Sequence, residues 1–439
     1  MRFDEIPAER GLPLLGHTVA WLQDPIGLPL ALHRAHGDVF RHHIFFERPV
    51  IFAHPDALGA IFADEGQHLS TAAGWEPFFG RLMPGGLLLR DHADHRLHRG
   101  LMTAAFSGAA MEGYVRRMNE RVPALLRAWR GGQFGATAAF RQVTLDLSSI
   151  LFLGVEVGPQ LTALSRDFEA LVQGVAALVP WALPGTSIRR ALEARARLVA
   201  YLRERIPQRR AEPSPDLFGQ LCQARDEQGR AFSDDEVINH TLFLWTAAHD
   251  TTTGALVMAA YELAHRPRWQ ERLRAELHQA GDDLVLARMG QLRETEWLIH
   301  EVLRLYPPIG SVPRKTLRPC EIAGVKLPAS TPLRASILLA QRHPAFWSNP
   351  HDFDPERFSE ERAEHRRHRH QFRPFGHGAH VCLGGRFAML QLKCVLHHIL
   401  RSFRLSLPPG YALRLRPTPS FRPRDGLPLR IEPIAGSTP

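Results

Sequence analysis

Cysteine is scarce in this chain: four residues in 439, Cys222, Cys320, Cys382 and Cys394, with no CxxC pair among them. That excludes a disulfide scaffold and leaves each sulfur as a reduced thiol, free to ligate a metal. No run of eighteen apolar residues occurs, so no transmembrane anchor is expected. The first twenty residues, MRFDEIPAERGLPLLGHTVA, carry charges and prolines where a signal peptide needs an unbroken apolar stretch, and a cytoplasmic location is the expectation. Internal repeats and low-complexity linkers are missing too. The reading is therefore one domain over 1–439, working as a monomer.

What is present is an ordinary globular composition, 44% hydrophobic and 23% charged, with a core large enough for an enzyme. Lysine and arginine exceed aspartate and glutamate by 54 to 45, giving +9. The arginines are scattered, and the densest cluster, HRRHRH at 365–370, reads as a loop. No basic helix with interleaved aromatics appears, so nucleic acid is not expected, and an acidic protein partner fits the charge better.

Two apolar-rich runs near the N-terminus, 39–46 and 49–53, are separated by Glu47 and Arg48 and predict a hairpin. Further strands are expected between 310 and 340. Apolar residues recur at three- and four-residue spacing over 111–129, 160–179, 187–206, 234–265, 268–279 and 294–305, which predicts helices. The fold class is mainly α with smaller β-sheets. The 234–265 segment is the longest, opens on the capping sequence Ser233-Asp-Asp-Glu236 and stops just before Pro267. A helix of that length is expected to cross the interior.

The most informative stretch is Phe375-Gly-His-Gly-Ala-His-Val-Cys-Leu-Gly-Gly-Arg-Phe-Ala388. Glycines crowd a cysteine just before a helical pattern that starts near Leu383. Gly376 and Gly378 permit a tight turn and close approach of a flat ligand, and a helix start beside a sulfur favours thiolate. Taken alone, Cys382 reads equally as a small buried hydrophobe in a glycine-rich turn.

The whole string, Phe375, Gly378, His380, Cys382, Gly384 and Ala388 in the spacing Phe-x-x-Gly-x-His-x-Cys-x-Gly-x-x-x-Ala, resembles the haem-binding signature of the cytochrome P450 family. Glu301-Val-Leu-Arg304 resembles the family's Glu-x-x-Arg helix, and Phe353-Asp-Pro-Glu-Arg357-Phe358 its downstream arginine segment. The resemblance spans roughly 10–430. It implies the cytochrome P450 fold, with the long helix passing over a haem b (iron protoporphyrin IX), Cys382 as iron ligand, and Phe375, Gly378 and Gly384 shaping the loop around it. It also implies that Glu301, Arg304 and Arg357 form a buried structural triad; by spacing alone the first two are a surface ion pair.

Within the long helix, Ala247-Ala248-His249-Asp250-Thr251-Thr252 resembles the family's oxygen-activation motif. Asp250 and Thr251 are then the catalytic pair, with the threonine holding a hydrogen bond that steers protons to bound dioxygen and the aspartate relaying them from solvent. The plainer reading is that the threonine hydroxyls bond back to carbonyls one turn earlier. Ala248 departs from the family's usual glycine, and Gln391 from its frequent glutamate. His95 and Arg99, in a segment resembling the propionate-binding helix, together with Arg314 and His380, are the expected haem carboxylate contacts.

Trp75, Phe78, Phe79, Leu82, Met83 and the apolar segment 171–187 with Trp181 suggest a lipophilic substrate of fatty acid, terpenoid, steroid or retinoid-like type. His95, Arg96, His98, Arg99, Arg386 and Lys393 are expected to form a basic face for an acidic ferredoxin or flavodoxin, which with its reductase delivers NAD(P)H electrons. The function implied is a haem-thiolate monooxygenase performing hydroxylation-type chemistry with O₂. Two alternatives stay open within the fold, a peroxide-using peroxygenase or isomerase and a non-catalytic haem-binding scaffold. Members of the first kind commonly lack the acid–threonine pair, and the second is expected to lose Cys382 or the triad.

Overall fold

The computed structural model describes residues 1–44, 47–129, 131–175, 177, 181–417 and 420–434. Its chain is mostly helical with small sheets and divides into two compact units: Met1–Trp75, Glu294–Cys382 and Pro409–Gly426 form the first, Glu76–Arg293, Leu383–Pro408 and Leu427–Pro439 the second.

The first unit is organised on a six-stranded sheet, in the order Ala8–Glu9, Val39–His42, Val50–Phe52, Pro332–Ala335, Val312–Thr316, Leu69–Ser70. The predicted hairpin is there: Val39 pairs with Phe52 and Arg41 with Val50, antiparallel. Residues 45 and 46 of its first run lie outside the described residues. Val50, Phe52, Leu333 and Ala335 face one way and pack against Ala57, Leu58 and Ile61 of the helix Pro55–Ala63, the two-residue alternation a half-covered sheet demands. A clasp ties the helix Gly27–His36 to the turn after Ile337–Ala340: Asp38 Oδ1 lies 2.7 Å from His33 Nε2 and 3.0 Å from His343 Nε2. These three side chains converge as metal ligands would. The Ala345 N–H, however, occupies His343 Nδ1 at 3.2 Å, so the ring carries its proton on Nε2 and donates it to Asp38.

The second unit holds the helices Gly108–Leu126, Pro159–Val175, Ser187–Ala211, Asp234–His265 and Pro267–Gln279, close to the ranges their periodicity predicts. A three-stranded sheet, Phe403–Ser406, Pro428–Pro433, Gly132–Gly135, completes it. The long helix starts where its cap requires. The Ser233 hydroxyl accepts the Glu236 N–H at 3.3 Å, and Glu236 accepts the Ser233 N–H at 2.9 Å, a reciprocal pairing that satisfies two otherwise orphaned donors. Apolar residues occupy all its sides, and Trp245, Leu256, Val257 and Met258 have no exposure, as expected of a helix that crosses an interior. The helix Ala136–Leu153 packs along it and is absent from the periodicity reading. That helix is buried on nearly every side, so it presents no amphipathic stripe.

Candidate functional site

In the first unit, Cys382 ends a loop that is closed on itself. The Cys382 N–H donates to the Phe375 carbonyl at 2.8 Å, Val381 N–H to Gly378 O at 3.1 Å and Gly376 N–H to Arg373 O at 3.0 Å. Gly378 has φ +71°, and a Cβ there would stand 2.1 Å from the Phe62 carbonyl oxygen. Only glycine lets the loop lie against the end of the Pro55–Ala63 helix. Held this way, the loop stays accessible from Phe372 to Cys382.

The four thiols differ in one respect that matters for a ligand. Cys222 and Cys394 are buried, and burial pushes both up to about 12; Cys320 is half-buried and also raised by burial. Cys382 is the exposed one. Its donor type, its exposure and the glycines of its loop fit a haem, whose iron Cys382 would hold through sulfur.

Behind the loop lies a saturated ion network. Arg304 Nε and Nη2 grip Glu301 at 2.6 and 2.9 Å, Nη2 also reaches Asp352 O at 3.0 Å, and Nη1 reaches Gln341 O and Pro350 O at 3.0 and 2.7 Å. All five guanidinium protons are thereby used. Arg357 Nε adds a bond to Glu301 at 3.0 Å, and its Nη1 meets Glu364 at 2.9 Å. Two arginines thus face two glutamates, which is what burial of charge requires. Glu301 and Arg304 have zero exposure, so they form the buried set and not a surface pair. Glu364 carries no spacing signal in the sequence that singles it out. Phe358, next to Arg357, packs its ring at a tilt against Phe372 at 4.8 Å, three residues before Phe375, so the network braces the cysteine loop through aromatic packing.

The expected carboxylate-binding cations occupy both units. In the first, Arg314 is buried on the Val312–Thr316 strand, with Nη1 on Pro313 O at 2.8 Å; His380 sits half-exposed in the short turn Gly378–His380. In the second, His95 is buried and Arg99 half-exposed on the helix His92–Thr103. Gly384 belongs to the second unit, where it caps the helix Gly385–Ser402.

The basic face needs correction. His98 is fully buried, its Nδ1 2.9 Å from His240 Nε2 on the long helix, and burial lowers it and pushes His240 down to about 3. Lys393 is buried with Nζ on Met289 O at 2.8 Å. Neither can meet a partner, nor can His95, which is buried as well. Arg96 and Arg386 are exposed and remain available. Of the apolar residues suggested for a pocket, Leu82 and Met83 are core side chains with 1% and 0% exposure. Residues 176 and 178–180 of the 171–187 segment lie outside the described residues, while Trp181 is 60% exposed.

In the middle of the long helix the burial breaks. Ala247 is exposed and Ala248 and Thr251 half-exposed, with buried residues on either side. Ala247 and Ala248 stand four and three residues before Thr251, the spacings that share one helix face, so the helix offers an open strip one turn long. Thr251 donates its hydroxyl proton to Ala247 O at 2.8 Å. The back-bond of the plainer reading is therefore present, and it leaves the lone pairs of the oxygen as acceptors. Asp250 beside it is buried.

A family model described as Cytochrome P450 matches residues 6–427. Cytochrome P450 136 of Mycobacterium tuberculosis is 34% identical over 98% of this chain and 88% of its own length. Cytochrome P450 120 of Synechocystis is 29% identical over 98% of this chain and 97% of its own. Among solved structures, that of retinoic acid-bound cyanobacterial CYP120A1 superposes with a TM-score of 0.88 at 28% identity, covering 98% of this chain and 99% of that one.

Proposed function

The chain belongs to the cytochrome P450 family of haem-thiolate monooxygenases, and from that premise we propose that Cys382 is the iron ligand and that the substrate is a lipophilic acid of retinoid or fatty-acid type. One observation carries the ligand assignment: the single exposed thiol stands on the glycine-shaped loop. The substrate class is supported by the retinoic acid bound to the cyanobacterial relative and by the apolar residues Trp75, Phe78 and Phe79, which stay partly exposed.

When bound, the haem supplies reductive activation of O₂, so that RH, O₂, two electrons and two protons give ROH and water. His95, Arg99, Arg314 and His380 are assigned to its two carboxylates, and Phe375, Gly378 and Gly384 to shaping the loop around the sulfur. Asp250 relays protons inward from solvent, and Thr251, whose own proton lies on Ala247 O, would accept a hydrogen bond on its open lone pairs and so steer them. Ala248 narrows the open strip by one methyl relative to glycine. Electrons are proposed to come from NAD(P)H through a ferredoxin or flavodoxin docking on exposed cations such as Arg96 and Arg386.

The test is turnover of all-trans-retinoic acid with NADPH, a surrogate ferredoxin and its reductase under isotopically labelled O₂. One labelled oxygen per product molecule is expected. Product formed from added hydrogen peroxide and none from O₂ with electrons would replace the monooxygenase reading with the peroxygenase one.

A further inference from the structure

We infer that His249 is a positioning residue for Asp250 and Thr251, held by hydrogen-bonding contacts with Thr144 and Thr253 that ring it; this rests on the oxygen-side role proposed for that pair. On the long helix, Trp245, His249 and Thr253 fall four apart and form one stripe, distinct from the open strip of Ala247, Ala248 and Thr251. The stripe is gripped by two neighbouring helices. Trp245 stacks on Phe168 at 4.1 Å and donates Nε1–H to Ser148 Oγ at 3.1 Å, and the His249 ring meets Phe168 edge-on at 5.4 Å. His249 Nδ1 lies 3.1 Å from Thr144 Oγ1, which lies 2.6 Å from Thr253 Oγ1, which donates to His249 O at 2.8 Å.

Each hydroxyl has one proton to give, and Thr144 has three partners in reach: the Arg141 carbonyl at 3.1 Å, His249 Nδ1 and Thr253 Oγ1. Either threonine can be the donor in the short contact between them, and in each arrangement the His249 ring stays against Thr144. The bond to Arg141 O ties that threonine to its own helix, and His249, Thr144 and Thr253 are all buried.

Such an anchor is needed at this place. The Ala247 and His249 carbonyls each take a threonine hydroxyl four residues on in addition to the amide a helix ordinarily provides, a sharing that weakens and bends helices. The weakened turn is the one that carries Asp250 and Thr251. Successive residues diverge by about 100° around a helix, so a His249 ring held against Thr144 sets the direction of the next two side chains.

Thr144→Val removes the ring's central hydroxyl with little change in shape, and Thr144→Ser restores it. In hydrogen–deuterium exchange of the holoprotein, amides of 245–253 are expected to exchange at least about tenfold faster in the valine variant and at the wild-type rate in the serine one. Hydrogen peroxide released per NADPH oxidised, with retinoic acid and a surrogate ferredoxin, is expected to rise severalfold in the valine variant and to fall back with serine. The spectrum of the reduced carbon monoxide complex should be the same in all. Thr253→Val opens the ring from its other side and carries the same expectations if Thr144→Val does not fold. Wild-type exchange and peroxide yield in both valine variants would overturn the inference, as would faster exchange with no added peroxide, or failure of serine to restore either. Thr251→Ala in the same assay separates the two readings: wild-type peroxide yield there removes the oxygen-side role itself, while a rise in Thr251→Ala with none in the valine variants removes only the positioning role.

Discussion

The ion network around Glu301 and the middle of the long helix both bury polar groups, and they do so in opposite ways. Arg304 uses every proton it has on fixed acceptors, and Glu301 Oε1 takes three donors, from Arg304, Arg357 and the Asp354 amide at 2.9, 3.0 and 2.7 Å. Neither the Arg304 protons nor Glu301 Oε1 is left to offer a ligand. The long helix keeps an open strip, with an alcohol whose proton is engaged and whose lone pairs are not. Saturation marks a part that holds the shape; spare capacity on an accessible face marks a part that can take up a ligand or a proton.

The contrast predicts different failures. The largest is expected in the network. Glu301→Gln keeps the volume and removes the charge that two arginines share, so unfolding in denaturant should show a loss of about 3–5 kcal/mol, with haem content falling alongside. A loss under about 1 kcal/mol would mean that the network is solvated in solution. Thr251→Ala should do the reverse. Alanine is the better helix former by a few tenths of a kcal/mol, so stability holds or rises while product per NADPH falls at least about tenfold. Wild-type coupling in that variant would erase the distinction between the two regions.

Between these extremes stand the cations of the helix His92–Thr103. Replacing His95 and Arg99 together by alanine should lower haem retention after gel filtration without changing the spectral type of the holoprotein that remains. Full retention would move the carboxylate contacts elsewhere.

The smallest effect concerns protons. Burial holds His240 at about 3, below its unfolded value near 6.5, so its contribution to stability is complete above pH 6.5 and is lost as pH falls toward 3. The slope from this one group is about 1.4 kcal/mol per pH unit within that window. His240→Gln, which keeps a polar side chain able to bond His98, should flatten the acid limb of the stability profile by that amount. An unchanged limb would show that the pair titrates freely.

The legible parts of the molecule were those with local punctuation. Ser233, Glu236 and Pro267 mark the long helix, the charged break at Glu47 and Arg48 marks the hairpin, and the glycines around Cys382 mark the loop. Burial erased other signals. The helix Ala136–Leu153 has no polar face to reveal its period, and its Thr144, Ser148 and Ser149 resemble loop residues until their buried partners are seen. The helix Ser187–Ala211 runs on through Pro207, past Ile206, its last buried residue, where Arg209 and Arg210 bond to the Leu153 and Phe232 carbonyls; those contacts are not readable as an apolar period. His98 and Lys393 look like surface cations in sequence and are interior in fact; only three-dimensional neighbours tell the two apart. Thr251 was ambiguous for a different reason, since the back-bond and the open strip coexist and spacing cannot choose between them.

If Cys382 alone supplies the sulfur to the haem iron, as proposed, the carbon monoxide difference spectrum of the reduced protein will depend on that residue and on no other cysteine. The strongly red-shifted Soret band of thiolate-ligated haem should appear in the wild type and in Cys222→Ala, Cys320→Ala and Cys394→Ala, and vanish in Cys382→Ala. A thiolate-type band that survives in Cys382→Ala would move the iron ligand to another residue.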